Sequence, residues 1–134
     1  MPTISVVYTG NLRTEAEHIA SGNKIITDAP KDNQGRGEAF SPSDLVCSAL
    51  GSCMITIMGI VAKRHNLAIE GTRIDITKIM ASDPRRIIEI VVDFHLTSNN
   101  FNEKERALLE NAARTCPVAL SLHPEIRQAV TFHY

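Results

Sequence analysis

Few side chains in this sequence could do chemistry. There are three cysteines, Cys47, Cys53 and Cys116, and five scattered histidines. Arg13 and Arg36 stand out because neither is explained by a helix-surface role. A cysteine reacts as its thiolate, which needs a helix N-terminus or a cation beside it. Cys116 stands directly before Pro117 in "RTCPVALSL". If Pro117 opens a helix, Cys116 is its N-cap, where backbone N–H groups and the helix dipole favour a thiolate. The other reading is a core cysteine packed at a helix junction. Cys53 lies within "SPSDLVCSALGSCMITIMGIVAKRH", where a buried cysteine is ordinarily a small hydrophobe. Cys47 has the same reading. It precedes Cys53 by six residues, which turns it about 120° away on a helix. If Cys53 and Cys116 came together, a reversible disulfide would be open to them, and Arg13 and Arg36 are the cations that could hold a thiolate there.

Other chemistries find less support. His18, His65, His95, His123 and His133 form neither an HxxxH nor, with cysteine, a metal-ligand spacing, so no metal and no cofactor are expected. There is no GxSxG. The formal net charge of -1 and the 4% aromatic content argue against nucleic acid. An odd cysteine count and an N-terminus without a basic region leading into an apolar run point to a reducing cytoplasm.

These residues must be positioned by a small set of elements. With 134 residues, a single domain over 1–134 is expected. "TISVVYTG" reads as a strand ending at the Gly10-Asn11 turn, and "KIIT" as another after Ser21-Gly22-Asn23. "LRTEAEHIA" between them fits helix or strand; a three-stranded meander is the economical reading. Asp28 to Pro42 is loop by composition, and long enough to be functional. A long helix follows, starting at Pro42-Ser43 and ending near His65-Asn66. "GTRIDITKIMA" and "RIIEIVVDFHLTS" read as paired strands turned at Asp83-Pro84. Asn102 caps a second helix, "CPVALSL" makes a short one, and "AVTFHY" is a closing strand.

Leu45 to Ala62 is 18 residues without a charge, the length at which a membrane span is first considered. The surrounding amphipathic strands need a cover, so a buried central helix is the preferred reading. Its small residues Ser48, Ala49, Gly51 and Ser52 predict a close crossing by a second helix, either the one from Asn102 or a partner's.

A helix opening "SPSDLVCSALGSC", a later "CPVALSL" and the loop "TDAPKDNQGRGEAFSPSDL" together resemble the OsmC/Ohr family, the osmotically inducible and organic-hydroperoxide-resistance proteins, in its OsmC-like subgroup. The resemblance spans nearly the whole chain. It implies an α+β fold: an intertwined homodimer with antiparallel β-sheets wrapped around long central helices. It implies a thiol peroxidase that reduces organic hydroperoxides, with hydrogen peroxide a further substrate. Cys53 would be the attacking thiolate and Cys116 the resolving thiol, joined in a disulfide that a dithiol reductant, lipoyl-type among the candidates, reopens. The family arginine falls on Arg13. Relatives carry a glutamate where this chain has Ser43, and serine cannot pair with an arginine. Asp44 lies nine residues from Cys53, about 180° round the helix and about 13 Å along it. Glu38, on the loop, is another source of a carboxylate. Ser43 therefore keeps two alternatives open: a dimer that binds a small lipid-like ligand with little turnover, and a thiol redox sensor.

Overall fold

The computed structural model describes residues 1–97 and 100–134. Ser98, the last residue of the expected fifth strand, lies outside them. The chain divides into two units, Met1–Val46 and Cys47–Tyr134.

The first unit is built on an antiparallel meander of β1 (Ile4–Gly10), β2 (Arg13–His18) and β3 (Lys24–Asp28). The ambiguous "LRTEAEHIA" is a strand because it pairs on both edges, Val6 opposite Ala16 and Ala16 opposite Ile25. Strand alternation then sorts the side chains. Ile4, Val6 and Tyr8 share a face with Ala16, Ile25 and Thr27, while Arg13 and Asp28 stand opposite each other on the reverse face. The loop after β3 contains a 3₁₀ turn, Lys31–Asn33. Gly35 sits so close to the backbone of Ala29 that no Cβ could fit there.

The helix α1 (Pro42–Arg64) begins in the first unit and continues into the second. Its start is a capping box. Ser41 Oγ accepts the Asp44 N–H at 3.1 Å, and the Asp44 carboxylate accepts the Ser41 N–H at 3.0 Å. Lys63 and Arg64 complement its C-terminal end.

The second unit holds the core. β4 (Arg73–Ala81), β5 (Arg86–His95) and β6 (Arg127–His133) form its sheet. Leu50, Met54, Met58 and Ala62 make a buried stripe along α1, and Ile90, Val92 and Phe94 of β5 are buried in the same core. α2 (Glu103–Arg114) contributes Leu109, Ala112 and Ala113. Its Asn102 cap is reciprocated by Glu105, as the sequence pattern implies. α3 (Pro117–Ser121) is a single short turn of helix. This α+β architecture matches the expected class.

Two details differ from expectation. β6 pairs with β5 in parallel, so the second sheet is mixed rather than antiparallel throughout. The physical reason is connectivity: β6 follows a crossover through α2 and α3, which is the connection a parallel neighbour requires. The second concerns the small residues of α1. At Gly51 the neighbours are Ile76 and Ile74 of β4, so at that one position strand side chains, not α2, fill the notch.

α1 is the one helix among the described residues long and apolar enough to cross a membrane by length and composition. Its packed stripe gives it the role of a core helix, and Val46 and Ile60 remain exposed on its other sides.

Candidate active site

The second unit brings Cys53 and Cys116 together. Cys53 is half-buried on α1, one residue before the fully buried Met54. Cys116 is fully buried at the junction of α2 and α3. Thr115 ends α2, and Pro117 starts α3 where its missing N–H costs nothing. Cys116 is thereby the N-cap, and its Sγ accepts the Ala119 N–H at 3.4 Å.

The sequence reading expected this position to favour a thiolate. Burial instead pushes the Cys116 thiol up, and the Ala119 N–H only partly offsets it. The nearby Cys53 side chain raises it further. The two thiols are therefore neighbours in the second unit, and burial favours the protonated form of Cys116. No disulfide joins any of the three cysteines in this structure. Cys47 is packed in the core.

The first unit collects the other candidates. Arg13 lies at the start of β2, opposite Asp28 at the end of β3. Its Nε donates to Asp28 Oδ1 at 2.7 Å and its Nη2 to Asp28 Oδ2 at 2.8 Å. Nη2 also donates to Glu38 Oε1 at 3.1 Å. The Glu38 N–H donates to Asp28 Oδ2 at 3.1 Å. The hydrogen bond from Arg13 holds the Asp28 carboxyl below the usual carboxylate range against the opposing effect of burial, with Glu38 N–H and the charges of Arg13 and Arg36 adding to it. The paired carboxylates raise Arg13 in turn.

Of the auxiliary candidates, Glu38 thus reaches Arg13, and Arg36 acts on Asp28. Ser43 shares a hydrogen bond with Ser41 Oγ at 3.2 Å. Asp44 serves the start of α1. Asp28 is the residue that sequence reasoning missed. Its signal was available: a hairpin turning at Ser21-Gly22 puts residues 13 and 28 on facing strands. Among the described residues, no group of three or more His, Cys, Asp or Glu could hold a metal ion.

A cleft of about 600 Å³ opens on the apolar face of the first sheet, with Ile4, Val6, Ala16, Ile25 and Leu45 in its lining. Ile4 and Val6 are 55% and 60% exposed there, unusually open for β-branched strand residues.

Residues 35–130 match the family model described as OsmC-like protein. No curated protein matches the chain. Among solved structures, it is similar to a Psychrobacter arcticus 273-4 protein provisionally named as an osmotic stress induced and detoxification response protein. The two are 50% identical over 99% of this chain and 96% of that one, with a TM-score of 0.96. An organic hydroperoxide resistance protein OsmC from Legionella pneumophila shares the fold at 17% identity, covering 98% of this chain and 95% of that one, with a TM-score of 0.77. An organic hydroperoxide resistance protein from Vibrio cholerae O1 biovar eltor str. N16961, also provisionally named and with captopril bound in one of its active sites, shares it at 16% identity, 98% and 92% coverage and a TM-score of 0.75. With the family model matching residues 35–130 and the 50% identical Psychrobacter arcticus protein sharing the whole fold, the chain belongs to the OsmC-like protein family of the OsmC/Ohr group.

Proposed function

We propose that this protein is a cysteine-based thiol peroxidase that reduces organic hydroperoxides. The observation that carries the reading is the adjacency of two unlike thiols, half-buried Cys53 and fully buried Cys116. In the first step the Cys53 thiolate attacks the distal oxygen of the hydroperoxide. An S–O bond forms, the O–O bond breaks, and the alkoxide takes a proton and leaves as the alcohol. Cys53 is now a sulfenic acid. Cys116 then attacks its sulfur; an S–S bond forms, and hydroxide leaves with the thiol proton as water. A dithiol reductant, lipoyl-type among the candidates, supplies two electrons through a mixed disulfide and restores both thiols. A buried thiol suits Cys116 to the second step. It stays protonated and out of competition for peroxide until a neighbouring sulfenic acid forms. Arg13 has the role of holding the Cys53 thiolate and orienting the peroxide.

The working form is a homodimer in this reading, and residues 1–134 are one domain of it. The support is the uncovered apolar face at Ile4, Val6 and Ile25 together with exposed Val46 and Ile60 on α1. A reducing cytoplasm keeps the thiols available.

The test is direct. Reduced protein is mixed with cumene hydroperoxide, and free thiols are counted over time, with Cys53→Ser and Cys116→Ser alongside. Rapid loss of about two thiols per chain is expected, with a sulfenate trapped in Cys116→Ser. Oxidation no faster than that of free cysteine ends the peroxidase reading. In that event the apolar cleft favours the ligand-binding alternative, which a bound apolar small molecule in the unoxidised dimer would establish.

A further inference from the structure

The Arg13 side chain is held along one edge only. Its Nε and Nη2 are both taken by Asp28, and Nη2 is shared with Glu38. Nη1 has no hydrogen-bond partner among the described residues. A side-on pair of this kind fixes the plane of the guanidinium as well as its position.

The two carboxylates that meet Arg13 are not equivalent. Asp28 is fully buried and pinned by the Glu38 N–H, so it cannot swing away without losing hydrogen bonds on every side. The Glu38 side chain is 65% exposed and meets Arg13 through a single oxygen. Glu38 is exchangeable, and Asp28 is the permanent clamp. Arg36 adds a second positive charge near Asp28. While Glu38 is in place, the charges of Arg13 and Arg36 are balanced by those of Asp28 and Glu38. When Glu38 turns to solvent, the cluster carries a net positive charge and an open N–H edge.

The approach to Arg13 is also fixed. Leu12, the preceding residue, lies in the left-handed region at φ 61°, which a leucine adopts only when its surroundings impose it. Its N–H donates to Tyr8 Oη at 3.2 Å, and its carbonyl accepts the Ala29 N–H at 3.0 Å. The turn before Arg13 and the strand end carrying Asp28 are thus tied together at two successive residues.

We propose that Asp28 is the positioning residue for Arg13, holding the guanidinium side-on so that Nη1 stays open to an incoming peroxide oxygen or other anion. The proposal rests on the peroxidase reading in giving Arg13 a catalytic partner. Asp28 touches neither substrate nor sulfur in this arrangement; it acts through Arg13. Ser43 then needs no acidic replacement on α1, because the carboxylate comes from the facing strand.

The experiment is a double-mutant cycle on the full chain, with two readouts. One is the rate of cumene hydroperoxide reduction. The other, independent of turnover, is the rate of Cys53 alkylation by iodoacetamide at neutral pH, read by peptide mass spectrometry. The variants are Arg13→Ala, Asp28→Asn and the pair combined, with Arg13→Lys as the conservative control and urea midpoints recorded for each. Asp28→Asn is expected to slow reduction by about tenfold, and the combined variant to be no slower than Arg13→Ala alone. Arg13→Lys keeps the charge without the fork, so it should alkylate like the parent while reducing hydroperoxide more slowly. Should Asp28→Asn fail to fold, Asp28→Glu carries the same comparison.

Additive losses from Arg13→Ala and Asp28→Asn, or parental rates in Asp28→Asn by both readouts, would overturn the proposal while leaving the peroxidase reading standing. No hydroperoxide reduction by the parent would remove the peroxidase reading. Alkylation that then still responds non-additively to Asp28→Asn and Arg13→Ala would leave the positioning role intact.

Discussion

Cys53 and Cys116 are neighbours in the second unit, yet the two sulfurs live in different surroundings. Cys53 is half-buried on a long helix, and Cys116 is sealed at a helix start with the Ala119 N–H on its sulfur. In the proposed peroxidase cycle that difference would give the pair a direction, one sulfur to react with what enters and one to wait.

That asymmetry has a consequence for alkaline stability. Burial pushes the Cys116 thiol above its ordinary 9.0, and burial with Glu110 pushes the Tyr134 phenol above its ordinary 10.0. Above those values the unfolded chain gives up protons that the folded chain keeps, so stability falls as pH rises. Urea midpoints measured from about pH 8 to about pH 11, a range bracketing those two ordinary values, should decline, and the decline should be shallower in Tyr134→Phe and in Cys116→Ser. Identical slopes in all three proteins would show that neither group is linked to folding.

Acid acts through the first unit. Asp28 is held below the usual range chiefly by its hydrogen bond from Arg13. Its contribution is fully present above the unfolded value of about 3.9 and is lost as pH falls through the lower folded value. The parent should therefore lose stability below about pH 4 more steeply than Asp28→Asn, which has no carboxylate at that position to protonate. Parallel acid titrations of the two proteins decide it.

Close packing between α1 and β4 should appear as energetic coupling. A Cβ at Gly51 would collide with the end of the Ile76 side chain. Gly51→Ala should be destabilising despite the better helix propensity of alanine, and Ile76→Val should cost about 1 kcal/mol by itself. Together they should cost about 1 kcal/mol less than the sum, because valine vacates the space the new methyl needs. Strict additivity in chemical denaturation would contradict the packing described.

The start of α1 is a cap. Ser41 and Asp44 exchange hydrogen bonds there. Asp44→Ala and Ser41→Ala should each lower stability by about 1 kcal/mol, and Asp44→Ala should leave the hydroperoxide reduction rate of the folded fraction unchanged. A large loss of rate with unaltered stability would instead make Asp44 a partner of the reaction.

Local signals in the sequence determined a good deal. Pro117 after Cys116 marked a helix start, and the cap at Asn102 with Glu105 marked another, because capping depends on residues within one turn. The alternation in β4 and β5 and the uncharged length of α1 were legible for the same reason. Tertiary structure decided what depends on partners distant in sequence. "LRTEAEHIA" became a strand only through β1 and β3 on its two edges. The burial that raises Cys116 comes from the second unit's packed core, so the N-cap alone gave the wrong sign. Asp28 became the partner of Arg13 through the register of β2 on β3, which a sequence fixes only once the turn is placed. Ser43, where the resemblance expects a glutamate, could be named from the sequence. For the carboxylate on the facing strand only the turn at Ser21-Gly22 was visible, because the register that pairs it with Arg13 exists only after the strands have met.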